Sequence, residues 1–227
     1  MPELVSYRLN ERVATITMDD GKVNVLSIAM LNELHSAFDQ AAEDEAVVVL
    51  TGREKYFSAG FDLKVFAESP GKLGEMIGLG ATLCEKVLAF PTPVITASTG
   101  HALAAGTFIP LCADHRIGLD GDFKYGLNEV KIGLTMPLFV QEIARQRLTP
   151  AELSRATITA RSYSPSQAVA AGFLDRTATA EEFDSAIAAS IEEMKGLNAA
   201  AHAATKLRVR ADAITAVREA IKTELDA

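Results

Sequence analysis

The chain has 227 residues, 48% of them hydrophobic and 23% charged, enough apolar material for a substantial core in one domain with an appendage, or in one large and one small domain. Its formal net charge of −8 argues against nucleic acid or an anionic membrane as the main partner, because both need clustered Lys and Arg. It leaves room for a small anionic ligand held by a few local lysines.

Met1-Pro2-Glu3-Leu4 carries no basic stretch leading into an apolar one, so no signal peptide is read and a cytoplasmic location is expected. Val5–Leu9 and Arg12–Met18 alternate as two half-buried strands about an Asn10-Glu11 turn. Ser27 is placed to cap a helix whose apolar face carries Leu31, Leu34, Phe38 and Ala42. Ala46–Leu50, a valine-rich run, predicts a fully buried strand, and Thr51–Ser58 a polar loop. A helix is expected over Leu73–Phe90; Gly78-Leu79-Gly80 lies inside it and lacks the third glycine of a diphosphate loop. Pro93–Ala97 predicts another buried strand, and Gly100–Gly106 a small-residue loop leading into a helix to about Ala113. Glycines and Pro110 interrupt this apolar stretch, which therefore does not read as a membrane span. Arg116–Leu119 and Phe123–Tyr125 are read as short strands. Cys84 and Cys112 have neither metal-ligand nor disulfide spacing and read as buried small apolar residues. Capping boxes are expected at Thr149–Glu152 and Thr179–Glu182, and a long helical stretch over Asn198–Leu225. The recurring order of strand, loop and helix predicts an α/β fold, with the last third mostly helical.

Three segments carry the chemistry. Phe57-Ser58-Ala59-Gly60-Phe61-Asp62-Leu63-Lys64 resembles the first signature, F-x-A-G-x-D-(I/L)-K, of the crotonase (enoyl-CoA hydratase/isomerase) superfamily. Gly100–Gly106 (GHALAAG) is similar to its second, G-x-A-x-G-G-G, and Ala113–Ile117 to the C-D-x-R-I that follows. Tyr125–Gly133 (YGLNEVKIG) resembles the third, F-G-x-P-E-x-x-x-G. The resemblance implies a crotonase-like spiral of ββα units over residues 1–165, holding an acyl-CoA site, and a C-terminal helical trimerisation region over 166–227. A trimer, or a hexamer of two trimers, is then the expected assembly.

The resemblance also implies roles. The backbone N–H groups of Phe61 and Ala105 would form an oxyanion hole, and Glu129 would be the acid/base. Lys55, Ala59, Asp62, Leu63 and Lys64 fall where the family holds the nucleotide end of coenzyme A, although each lysine reads equally well as a solvated surface charge. Coenzyme A would arrive as part of the substrate, with no permanently bound cofactor and no metal. Physical reasoning agrees with these roles. A thioester oxygen gathers charge as its α-carbon loses a proton, and two fixed backbone donors aimed at it supply several kcal/mol. Small residues such as Ala59-Gly60 and Ala104-Ala105-Gly106 let backbone approach a ligand closely. A carboxylate in an apolar pocket is pushed toward a pKa useful for proton transfer.

The family's hydratases carry a second glutamate two residues after the last glycine of the second motif; here that position is Phe108. Together with Gly-Leu-Asn-Glu in the third motif, this resembles the mitochondrial-type Δ3,Δ2-enoyl-CoA isomerase branch. The leading reading is therefore double-bond isomerisation of an enoyl-CoA. An enoyl-CoA hydratase is the alternative within the fold, and a non-catalytic acyl-CoA-binding protein the alternative of another class. A serine hydrolase is rejected, because Ser98 and His101 lack a Gly-x-Ser-x-Gly elbow.

Overall fold

The computed structural model describes residues 3–68 and 70–225. β1 (Val5–Asn10) and β2 (Val13–Met18) form an antiparallel hairpin. Its turn is Glu11-Arg12, one residue later than expected, with φ of 48° and 64°. Two consecutive left-handed residues give the tight turn whose twist suits a hairpin. After β3 (Val25–Leu26), α1 (Ile28–Glu43) starts where Ser27 Oγ accepts the Met30 N–H at 3.2 Å, and it buries Leu31, Leu34 and Phe38 as its period requires.

The spiral is visible in how the strands are shared. β4 (Val47–Thr51), β7 (Val94–Ser98), β9 (His115–Leu119) and β11 (Arg176–Ala178) extend β1 and β2 into a six-stranded sheet of order β1-β2-β4-β7-β9-β11. Within it only the β1–β2 pair is antiparallel. After each of β4, β7 and β9 the chain turns into a second sheet as β5 (Lys55–Ser58), β8 (Gly100–Leu103) and β10 (Tyr125–Gly126), ordered β10-β8-β5. A third, two-stranded sheet pairs β3 with β6 (Gly60–Phe61). Each turn then leaves through helix: α2 (Leu63–Glu68) and α3 (Leu73–Leu88), α4 (Phe108–Cys112), and α5 (Leu138–Arg147). This is the expected α/β spiral. Two segments read as loops, Thr51–Ser58 and Gly100–Gly106, in fact contain β5 and β8.

The large sheet is covered on both faces, which explains the valine run. Val48 and Leu50 join the main core with Phe38 and Val87, while Val47 and Val49 pack with Ile95, Ile117 and Phe183. Phe183 opens α8 (Phe183–Lys195), which follows α6 (Pro150–Thr157) and α7 (Pro165–Ala171). Both expected capping boxes are corrected. Thr149 stands at the N-cap of α6 with Pro150 behind it, but its side chain makes no cap bond; Glu152 is drawn instead to Tyr163 Oη (2.8 Å) and Arg155 (2.6 Å). Thr179 Oγ1 donates to Glu182 Oε2, and the helix begins after that glutamate. The reciprocal box forms at Ser164 and Gln167, heading α7.

The expected C-terminal helical stretch breaks at Arg210 into α9 (Ala199–Val209) and α10 (Ala211–Leu225). The Arg210 guanidinium reaches the carbonyls of Leu88, Cys112 and Ala113 at the buried C-terminal ends of α3 and α4. Arg147 caps Leu111 and Ala113 beside it. Asp114 balances this charge: it accepts from Lys206 (2.6 Å) and the Val94 N–H (2.8 Å) and pairs with Arg210 (2.9 Å). Asp114 thus ties α9 and the start of α10 to the start of β7. α10 lies against α3 and α5 of its own chain.

Candidate active site

Asn24 anchors the first loop. It is fully buried with φ 53°, and its side-chain amide donates to the carbonyls of Met18 (2.9 Å) and Phe57 (3.1 Å). Ser58 Oγ donates to the Asn24 carbonyl (2.6 Å) and accepts the Gly60 N–H (3.1 Å). The Ala59 N–H is held by the Val23 carbonyl (3.0 Å). Nothing in the sequence marked Asn24; an isolated Asn between turn residues and an apolar strand was the available signal.

The second loop lies directly on the first. Gly60 has φ +96°, and a Cβ there would stand 3.1 Å from the Ala105 nitrogen and 3.0 Å from the Leu103 carbonyl oxygen. A Cβ on Gly106 would stand 2.3 Å from the Ser58 carbonyl oxygen. That contact accounts for the one glycine kept from the family's run of three. Ala104 adopts φ 49°, a conformation that costs an L-residue ~1–2 kcal/mol. Thr107 Oγ1 ties the turn by donating to the Ala104 carbonyl at 2.8 Å.

The third segment follows β10. Tyr125 and Tyr163 exchange backbone bonds of 3.0 and 2.9 Å, which fixes the strand end. Beyond it the Glu129 carbonyl accepts the N–H groups of Ile132 (3.0 Å) and Leu134 (2.9 Å), so the backbone wraps the glutamate.

These segments enclose a cavity of about 170 Å³. Ala59, Phe61, Ala104 and Ala105 come from the two small-residue loops, and Asn128 and Glu129 from the third. Ile77, Phe108, Leu134 and Pro137 give it an apolar wall. Glu129 is the one carboxylate among the described residues that line it, is 4% exposed, and neither of its oxygens has a hydrogen-bond partner. Burial pushes its pKa up to about 7, with its own backbone N–H pulling the other way. Asn128 Oδ1 is also buried without a partner. Phe108 is fully packed, edge-to-face with Phe61 (6.0 Å between centroids) and with Phe139 (5.8 Å).

The structure thus brings together Glu129, Phe61 and Ala105, with Ala59 and Leu63 on the cavity's rim. Lys55, Asp62 and Lys64 lie outside its lining. Lys55 is exposed with φ 69° and pairs loosely with Glu54 (3.9 Å); Asp62 Oδ1 accepts the Lys64 N–H (3.0 Å), and the Lys64 side chain is exposed. Ile77, Leu134, Pro137 and Phe139 were not singled out in the sequence, because scattered apolar residues carry no motif.

Among known proteins the chain is similar to an enoyl-CoA hydratase/isomerase family protein from Pseudomonas syringae, at 41% identity and TM-score 0.96, over 98% of this chain and 97% of that one. It is similar to an apo enoyl-CoA isomerase of Mycobacterium tuberculosis at 43% identity and TM-score 0.92, over 98% and 97% of the two chains. A probable enoyl-CoA hydratase of Bacillus subtilis is 33% identical over 134 residues, 57% of this chain and 52% of that protein, so the match spans about half of that relative. The sequence profile described as enoyl-CoA hydratase/isomerase matches residues 8–227, and the chain is an enzyme belonging to that family.

Proposed function

We propose that the protein shifts the double bond of a 3-enoyl-CoA to the conjugated 2-position, with Glu129 as the sole proton carrier and the N–H groups of Phe61 and Ala105 holding the thioester oxygen. The observation that carries this reading is the lone, unpaired carboxylate of Glu129 in an apolar cavity whose hydratase-type second acid is replaced by Phe108. Glu129 takes a proton from C2, the oxyanion hole holds the dienolate, and the resulting carboxylic acid returns the proton at C4. Phe108 keeps water from the reacting carbons. The nucleotide end of coenzyme A then lies toward Ala59 and Leu63, with Lys55 and Lys64 offering charge to its phosphates, and coenzyme A leaves with the product.

Self-association as a trimer or hexamer and action in the cytoplasm belong to the same proposal. No helix among the described residues is long and apolar enough to cross a membrane. The test is incubation with 3-enoyl-CoA and 2-enoyl-CoA of several lengths, following double-bond position and water addition separately. Isomerisation outpacing hydration is expected, together with its loss in Glu129→Gln while acyl-CoA binding persists. Efficient hydration of crotonyl-type thioesters with 3-enoyl-CoA untouched would make the protein a hydratase.

A further inference from the structure

Gly80 sits midway along α3, where no turn or left-handed backbone calls for glycine and where glycine weakens a helix relative to alanine. Its reason is the Phe61 ring. A Cβ on Gly80 would stand 2.6 Å from Phe61 Cζ and 2.8 Å from Cε1, so the missing methyl is the space the ring tip occupies. The ring spans from the first loop to α3, and on the cavity side it meets the edge of Phe108, which in turn meets Phe139. Ile77, one turn before Gly80, lines the cavity on the same helix face. The volume enclosed, about 170 Å³, is small beside the ~300–1,000 Å³ of sites that take drug-sized ligands.

We propose that Gly80 is a positioning residue that seats the Phe61 ring, and that this ring closes the acyl pocket and restricts the enzyme to short enoyl groups. The inference rests on the enoyl-thioester reading above, since acyl carbons lying beside Glu129 must pass the Phe61 and Phe108 rings. It gives the side chain of Phe61 a role separate from its backbone N–H. The clash at Gly80 involves only the far end of a side chain, so a methyl there displaces the ring toward the cavity without disturbing the helix backbone.

The experiment compares wild type, Gly80→Ala and Phe61→Ala for kcat/KM on 3-hexenoyl-CoA and 3-dodecenoyl-CoA. Alongside, calorimetry gives the dissociation constants of the saturated hexanoyl-CoA and dodecanoyl-CoA. Wild type is expected to favour the six-carbon substrate. Gly80→Ala lowers the dodecenoyl-to-hexenoyl ratio about 10-fold, and Phe61→Ala, which keeps the amide, raises it about 10-fold or more. The binding ratios move in the same directions. A purely structural role for Gly80 would change stability and both substrates alike; unmoved ratios, or a wild type preferring the dodecenoyl thioester, overturn the proposal. Should Gly80→Ala fail to fold, Gly80→Ala/Phe61→Ala, which removes the ring the methyl meets, is expected to fold, and its failure to do so overturns the Gly80 assignment. Binding ratios that shift as stated in a protein that isomerises neither substrate would sustain the chain-length assignment and remove the isomerase reading.

Discussion

Glu129→Gln is expected to stabilise the protein by an amount that grows as pH rises from about 4.5 and is complete above 7. The folded chain holds this carboxyl at about 7, against an ordinary value of 4.5, through burial without a hydrogen-bond partner. Each pH unit of displacement is worth ~1.4 kcal/mol, so the charged form burdens the native state by about 3 kcal/mol, an upper figure because water entering the cavity relaxes part of it. Below about pH 4.5 the carboxyl is neutral in both folded and unfolded chains and costs nothing. Between there and pH 7 the native state binds more protons than the unfolded one, so this group's contribution falls as pH rises, reaching its full penalty above 7. Glutamine keeps the shape and never ionises. Urea unfolding at pH 8.5 should therefore find Glu129→Gln more stable than wild type by about 1–3 kcal/mol, with the gain shrinking toward zero at pH 5. In a thermal melt the gain corresponds to a few degrees for a chain of this size. A variant no more stable than wild type at pH 8.5, or shifted equally at both pH values, would refute the claim that this carboxylate is held unpaired.

Turnover should follow the same titration, with kcat/KM rising through about pH 7 as Glu129 gains its basic form. Ala105→Pro removes one proposed oxyanion donor and should lower turnover roughly 100-fold or more, with binding of a saturated acyl-CoA as the control for loop damage. Ala104→Gly relieves the φ of 49° at the cost of some chain entropy, and a net gain of ~0.5–1 kcal/mol is expected in urea unfolding. Asp114→Asn leaves Lys206, 6% exposed, and Arg210 without their shared counter-charge, which should destabilise the chain by ~3 kcal/mol or more.

What the sequence revealed tracks how local each cause is. The valine run of β4, the Ser27 cap and the apolar face of α1 follow from neighbours a few residues apart, and they appear where expected. β5 and β8 did not announce themselves. They are four residues each, and their order comes from pairing with one another across more than forty positions of sequence. At Thr149 the expected capping box is absent and Glu152 is held by Arg155, one turn on in the same helix, and by Tyr163 from beyond the helix; the second partner lies outside any capping window. At the site, small residues and one glutamate were legible as a pattern, since backbone approach demands small side chains. The wall was not: Ile77, Leu134 and Pro137 are apolar residues like dozens of others until the fold sets them around a cavity. Gly80 shows the same limit, for its contact with Phe61 joins two segments nineteen positions apart in a way helical periodicity does not encode.

The proposed chemistry and the electrostatics of the cavity constrain one another. A group that must both take and return a proton works best when neither form is strongly favoured near neutral pH, and burial sets Glu129 at about 7 with no second ionisable group assisting. Filling position 108 with another carboxylate would alter that balance as well as admit water. Two acids in one dry pocket repel, so one would be driven to hold its proton while the other stayed charged. That split suits the positioning and activation of water but removes the symmetry a single shuttle relies on. Phe108, packed between Phe61 and Phe139, gives the cavity an apolar wall where a second acid would stand and leaves Glu129 as its one carboxylate among the described lining residues. On the proposed isomerase reading, Phe108 and the raised pKa belong together: the apolar wall that would keep water from the reacting carbons is the same burial that makes the glutamate more basic.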